Sequence, residues 1–328
     1  MADLHPAWGE VPAATKTTFT FPVAVRADGS SIGLPVLVAR GAHPGPTLLV
    51  TAGLHGDEFE GPAALPRVFE TLDPAELHGT FVAVPVGNPP AFEAGTRTNP
   101  NDHQDIGRVF PGDPAGTVTE QLAFTLTHRF IRHASFFCDL HSAGLYYQMP
   151  PLIGYHLRPE PLLSAQRAAA RAFGFPLIWG TPPLPGRSLT MAGDFGVPAI
   201  YAEITGEGRC LKDDVFDYVT GVQNLMGHLG LTQDRPTPVE PTWHVEDNAP
   251  QAGILQAQLR APVSGIFEPS VQVLSRVMRG EEIGRICDAF GTTRHTVRAP
   301  HNGLVVFLRT FPRVLAGEPL CCVMELKE

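Results

Sequence analysis

Two short apolar runs, well separated in the chain, each end at a turn that carries a histidine. This repeated pattern limits the fold more than any other feature. The first run, Pro46-Thr-Leu-Leu-Val-Thr-Ala-Gly53, is apolar, rich in β-branched residues and bounded by glycine, as a strand should be. It leads into His55-Gly-Asp-Glu58, after which Ala63, Ala64, Leu65, Val68 and Phe69 take up helical spacing. The second run, Phe136-Phe-Cys-Asp-Leu140, ends in His141-Ser-Ala-Gly144. Strands that turn into helices are the repeating unit of α/β proteins. In open sheets of that class, ligands bind in the crevice beyond the carboxyl ends of the strands.

Taken one at a time these residues carry little. An isolated H-x-x-E match is common by chance, and a lone strand-end histidine is more often a satisfied core residue. Together, His55, Glu58 and His141 form a set of two imidazoles and one carboxylate. Three such ligands leave the fourth position of a tetrahedral zinc open for water, which is the composition of a catalytic rather than a structural site. The arrangement differs from the helix-borne H-E-x-x-H proteases, because the second histidine is remote.

The rest of the chain reads as alternating elements. Strands are expected over 17–25 and 32–38 around the turn Arg26-Ala-Asp-Gly-Ser30, then over 47–54 and 80–86, with a helix near 60–72. The stretch 87–116 is irregular and full of Pro, Asn, Asp and Gly, and a connector of that length in a compact domain points to function. Helices follow over 120–132, 162–173 and 215–229, and strands over 135–140 and 199–204. The alternation predicts an α/β catalytic domain over residues 1–230, a mixed open sheet with helices on both faces. The proline-spaced polar run Thr232-Gln-Asp-Arg-Pro-Thr-Pro-Val-Glu-Pro-Thr242 predicts a linker over 231–251. Beyond it, short β-like runs with glycine turns predict a small all-β domain over 252–328. Its two Ala-Pro-x-x-Gly repeats, Ala261-Pro-Val-Ser-Gly265 and Ala299-Pro-His-Asn-Gly303, resemble the barrel-sandwich fold of biotinyl and lipoyl carrier domains. The one lysine there, Lys327, lies in the tail, so a structural or gating role is expected instead of a swinging arm.

Composition excludes several functions. A formal net charge of −9 gives no support to nucleic-acid or anionic-membrane binding, both of which need basic patches. No apolar run reaches the length of a membrane span, and Met1-Ala-Asp-Leu-His-Pro shows no secretory leader. Five cysteines without C-x-x-C spacing suggest reduced, buried thiols in a cytoplasmic protein. An exposed β edge in the small domain would allow a homo-oligomer.

A hydrolytic zinc site needs a base and an oxyanion donor. Glu203 lies in the apolar run Ala199-Ile-Tyr-Ala-Glu-Ile204, where a carboxylate is costly unless paired or functional. Its bland reading is a buried ion pair with an arginine; Glu207, flanked by glycines, is a rival on what reads as an exposed turn. The long loop offers Arg97 and Arg108 as planar donors for a carbonyl or carboxylate, with Asp105 able to hold one of them in place, although isolated loop arginines are usually just solvated. Tyr146 and Tyr147 are candidates for the pocket wall or for plain packing.

Four segments in order make a resemblance specific. They are Ala52-Gly-Leu-His-Gly-Asp-Glu58, Gly95-Thr-Arg-Thr-Asn-Pro-Asn-Asp-His-Gln-Asp-Ile-Gly-Arg-Val-Phe-Pro-Gly112, Asp139-Leu-His-Ser-Ala-Gly144 and Pro198-Ala-Ile-Tyr-Ala-Glu-Ile-Thr-Gly-Glu-Gly208. With the C-terminal β region, nearly the whole chain is similar to the succinylglutamate desuccinylase/aspartoacylase family, relatives of the zinc carboxypeptidases, and most resembles its bacterial N-acyl amino acid deacylase branch. The resemblance implies a zinc carboxypeptidase-like fold and one zinc per chain on His55, Glu58 and His141. It implies Glu203 as general base and acid, and Arg97 as the group that polarises the carbonyl. Arg108 is placed where the family grips a substrate carboxylate, beside Asp105. Gly107 stands where members usually carry an asparagine that helps hold that carboxylate, and Thr205 where a glycine commonly follows the glutamate. The expected reaction is removal of the acyl group from an N-acyl amino acid or related small amide. Metallocarboxypeptidase or esterase chemistry at the same site, or a non-catalytic zinc- or ligand-binding relative, are the alternatives.

Overall fold

The structure, a computed structural model, describes residues 5–234, 240–250 and 252–326. The first residues of the stretch read for a leader, 235–239 of the proline-spaced run, and Lys327 lie outside the described residues. The first two strands, β1 (Thr15–Val25) and β2 (Ser31–Arg40), form an antiparallel hairpin, and β3 (His43–Ala52) leads into helix α1 (Glu60–Thr71) and β4 (His78–Val84). Next come α2 (Pro89–Ala94), α3 (Val118–Thr125), β5 (Phe136–Leu140), the two-residue β6 (Tyr147–Gln148) and β7 (Leu152–His156). They are followed by α4 (Leu162–Phe173), β8 (Leu177–Thr181), α5 (Ser188–Asp194), β9 (Ala199–Glu203), α6 (Lys212–Leu229) and β10 (Trp243–Glu246).

Nine of these strands make one mixed sheet in the order β1-β2-β4-β3-β5-β9-β7-β8-β10. At its centre β4, β3, β5 and β9 run parallel, and every residue of β5 is buried, as both-faced coverage by helices requires. One apolar core joins the sheet to α1, α4 and α6; a second, on the opposite face, holds residues of α3, α5 and the hairpin. The sequence pattern thus located the central layers. Local chemistry fixes element ends: α3 opens on a reciprocal capping box between Thr117 and Glu120, and α4 stops at Gly174 with φ of 96°.

Several elements differ from the sequence expectation. Within 87–116 the chain forms α2 and a 3-10 turn at Ile106–Arg108. The helix expected over 120–132 is α for only Val118–Thr125, then loosens to a π turn at Leu126–Phe130 that keeps Leu126, Phe130 and Ile131 all buried. Strands β7 and β8 were not anticipated, because Gly154 and Gly180 interrupt them and glycine weakens a strand signal. Both glycines make room for rings: a Cβ on Gly154 would lie 2.0 Å from the Tyr201 ring, and one on Gly180 2.8 Å from that of Tyr155. The stretch expected as a linker carries β10, paired in parallel with β8 at the sheet edge. Arg167 anchors it through two 2.7 Å bonds to Glu246, which also accepts from the Tyr155 hydroxyl at 2.6 Å.

The C-terminal region is all β, as expected. Strands β11 (Leu259–Arg260), β12 (Gly265–Pro269), β13 (Arg276–Val277), β14 (Glu282–Cys287), β15 (Thr293–Arg298), β16 (Gly303–Arg309), β17 (Arg313–Val314) and β18 (Pro319–Glu325) form two antiparallel sheets around their own core. The first sheet is not self-contained: β6, from the loop after β5, pairs with β16 at Gln148–Leu308 and Tyr147–Arg309. Arg309, 1% exposed, donates to the carbonyls of Phe311 and Arg313 and to the Tyr147 hydroxyl. No helix among the described residues is long and apolar enough to cross a membrane.

The glycine argument is testable. Gly154→Ala is expected to lower stability by about 1–3 kcal/mol through overpacking, seen as a lower urea midpoint with an unchanged slope.

Candidate active site

Three neighbouring parallel strands deliver the candidate residues. His55 and Glu58 follow β3 and precede α1, His141 follows the last residue of β5, and Glu203 is the last residue of β9. Because β3, β5 and β9 lie side by side, positions remote in sequence meet at one edge of the sheet. Arg97, Asp105 and Arg108 approach from the loop between α2 and α3.

The Glu58 carboxylate, 2% exposed, sits between the two imidazoles: His55 Nδ1 is 2.6 Å from Oε1 and His141 Nδ1 is 2.9 Å from Oε2. Each imidazole is held from behind, with His55 Nε2 at 3.1 Å from Asp105 Oδ1 and His141 Nε2 at 3.2 Å from Asp139 Oδ2. Asp139 is itself fixed by the hydroxyls of Thr51 and Ser188, each donating at 2.6 Å. A neutral imidazole that donates its Nε2 proton to a carboxylate turns the Nδ1 lone pair inward. Two such lone pairs and a carboxylate oxygen, with ligand atoms within 4.8 Å of one another, converge on one point. Carboxylate-backed histidines are the usual outer shell of a zinc ligand. The donor set therefore fits a zinc ion, which His55, Glu58 and His141 could hold. Burial alone would raise the Glu58 carboxyl, but His55 and His141 outweigh it and keep it well below the ordinary range.

Glu203 is different. No hydrogen bond or close ion pair holds its carboxylate among the described residues, and burial first, then the charge of Glu58, pushes its pKa up to about 8. A carboxyl poised near neutral pH is suited to take a proton and give it back. Arg97 donates from Nε to Asp105 at 3.2 Å and lies 3.6 Å from Glu58 Oε1, so its guanidinium is positioned at the edge of the cluster. Asp105 is occupied by His55, Arg97 and, at 3.9 Å, Arg108. That places it as a support for the others, beside Arg108; its side chain does not line the cleft wall. The rival Glu207 is off the wall as well and pairs with Arg209 at 3.3 Å.

These residues open onto a cleft of about 840 Å³ including its mouth, within the range of small-ligand sites. Its lining contains residues that sequence reasoning did not single out. Arg187, at the turn before α5, shares the cleft lining with Arg108, and its side chain has no hydrogen bond or salt bridge among the described residues; burial, then the like charge of Arg108, lowers its pKa to about 10. The turn residues Pro183-Leu-Pro-Gly186 are its only local signal. His156, Tyr201, Met149, Leu255 and Phe307 also line the cleft. Tyr146 and Tyr147 do not; Tyr147 stacks behind Phe307 with ring centroids 4.4 Å apart.

His156 gives a pH signature. Burial, then Arg158 and Arg187, hold its pKa down to about 3, against 6.5 when free. Below the free value the unfolded chain takes up a proton that the folded one refuses, so stability is intact above it and falls as pH drops from about 6.5 toward 3. The slope is at most about 1.4 kcal/mol per pH unit. Urea midpoints measured between pH 7 and pH 5 should fall, and fall less in His156→Gln.

Comparison with known proteins matches this geometry to a family. The sequence profile of the succinylglutamate desuccinylase/aspartoacylase catalytic domain matches residues 44–229. The chain is 30% identical over 306 residues to the N-alpha-acetyl-L-2,4-diaminobutyric acid deacetylase of Halomonas elongata, covering 91% of this chain and 87% of the relative. Among solved structures, a succinylglutamate desuccinylase/aspartoacylase from Rhodobacter sphaeroides superposes with a TM-score of 0.85 at 29% identity, covering 95% of this chain and 96% of that one. The ectoine utilization protein of Ruegeria pomeroyi, in its product-bound structure, gives 0.83 at 27% identity, with 96% and 97% covered. With the profile matching more than half of its length and a relative aligned along nearly all of it, this chain belongs to the succinylglutamate desuccinylase/aspartoacylase family.

Proposed function

We propose that this protein is a zinc-dependent hydrolase that removes the acyl group from an N-acyl amino acid or a related small amide. The observation that carries the reading is the meeting of His55, Glu58, His141, Glu203 and Arg97 in one cleft, at the ends of adjacent strands. The deacetylase activity in the name of the Halomonas relative supports the same chemistry. His55, Glu58 and His141 would hold the zinc, which supplies Lewis acidity and an acidified water when bound.

The protein's own residues account for the remaining steps. Glu203 takes a proton as the water oxygen bonds to the acyl carbon. Arg97 donates N–H to the oxygen that gains charge, a role in which one donor is worth about 3–4 kcal/mol. As the C–N bond breaks, Glu203 returns its proton to the leaving nitrogen, so acyl acid and free amine are the products. Arg108 and Arg187 are suited to hold a substrate carboxylate, Arg187 because no acid forms a salt bridge with it among the described residues. Leu255 and Phe307 wall the cleft on the C-terminal side, which suits a small substrate more than a peptide. The five cysteines are free thiols, as suits a reducing compartment such as the cytoplasm.

Purified protein is expected to contain about one zinc per chain and to cleave N-acetyl amino acids until chelated, with activity restored by zinc. Glu203→Gln should retain zinc but lose about 10²–10⁴-fold in kcat. Arg97→Ala should lose about 10²–10³-fold in kcat/KM. Amide cleavage that survives both chelation and Glu203→Gln would overturn the reading.

A further inference from the structure

The charge on the cleft wall says what the rest of the substrate is. Among the described residues, the wall carries the cationic Arg97, Arg108 and Arg187, and its only carboxylates are Glu58 and Glu203. Glu58 is bracketed by the two imidazoles, and Glu203 must remain free to move a proton. No third acid is available to pair with a substrate ammonium. The remaining wall mixes neutral polar groups, Ser142, Thr181, Ser188, Tyr201 and Gln256 among them, with the apolar Met149, Leu184, Leu189, Ile254, Leu255 and Phe307, and none of these carries a negative charge. Leu184 and Leu189 flank Arg187 in the chain, and Leu255 packs on the cluster that holds Met149 and Phe307. A substituent next to a carboxylate held by Arg187 therefore has these apolar side chains within the same cleft and no free acid to pair with.

We infer that the substrate is an N-acyl amino acid whose side chain is uncharged and apolar, and that Leu255 is a specificity-determining residue on the wall receiving it. The inference rests on the deacylase reading but separates this chain from its Halomonas relative. The diaminobutyric acid in that relative's name has a second amine, cationic at neutral pH. In this cleft such an ammonium would face three guanidiniums and lose water without gaining a counter-charge, which is strongly unfavourable. A leucine or methionine side chain meets no such penalty and gains from burial.

The test uses the zinc-loaded full chain and two readouts. Calorimetric binding of the free amino acids L-leucine and L-2,4-diaminobutyrate needs no turnover; kcat/KM for their Nα-acetyl derivatives reports cleavage. L-leucine is expected to bind, and its derivative to be cleaved, about tenfold or more better than the diaminobutyrate counterpart. Leu255→Asp, which introduces the missing carboxylate on a partly exposed segment, should narrow or invert that ratio, and Leu255→Asn should not invert it. Stronger or equal binding of diaminobutyrate by the unaltered protein, or binding of neither amino acid, overturns the inference. Cleavage with a preference for the diaminobutyrate derivative would overturn it while leaving the deacylase reading intact. Selective leucine binding without cleavage of any N-acyl amino acid would keep the assignment of an apolar side-chain wall at Leu255 and remove the deacylase reading.

Discussion

Everything in the catalytic half is arranged around one buried carboxylate. Glu58 is placed between two imidazoles, and each imidazole is backed by a further acid, Asp105 or Asp139. Three carboxylates lie in this small volume, and burial makes their charge costly unless positive charge meets it. A divalent cation at the point where the ligand atoms converge would supply such charge. The surrounding fold reads as the means of holding those five side chains still: Thr51 and Ser188 fix Asp139, and the hydroxyl of Tyr218 donates to the carbonyl of His141.

The same constraint separates the roles of the remaining acids. Glu58 and Glu203 lie in the same cleft, but opposite effects win at each. At Glu58 two imidazoles overcome burial and keep the carboxylate charged; at Glu203 burial wins and leaves a group able to exchange a proton near neutrality. Two carboxyls whose environments push them apart can divide binding and proton transfer between them.

The C-terminal β region is tied into this site and is no appendage. Strand β6, only two residues long, pairs with β16 on one side, and Gln148 bridges to Gly206, just after Glu203, on the other. Arg309 fastens the same point through Tyr147, whose ring backs Phe307 on the cleft wall. The loops that follow His141 and Glu203 are thus held by a sheet that forms far downstream in the chain.

Much of this was legible in the sequence. The apolar runs before His55 and His141 located two strands and the turns beyond them, because alternation and glycine punctuation are local signals of backbone pairing. The chemistry of two histidines and a glutamate suggested a metal before any geometry was known. Other features could not be read that way. Strands β7 and β8 are broken by Gly154 and Gly180, which make sense only once the rings of Tyr201 and Tyr155 are packed against them. Strand β10 hides in a proline-spaced stretch and is held by Arg167 and Tyr155 from distant elements. Arg187 and Leu255 carry no motif, since a cleft wall is assembled from side chains that share a surface and not a spacing. The sequence by itself determined the strand–turn–helix units and the ligand types they carry, because both depend on residues close together along the chain. Which strands became neighbours, and so which charges and apolar groups share the cleft, was decided only by tertiary packing, because strand order across a sheet is set by long-range burial that no local pattern encodes.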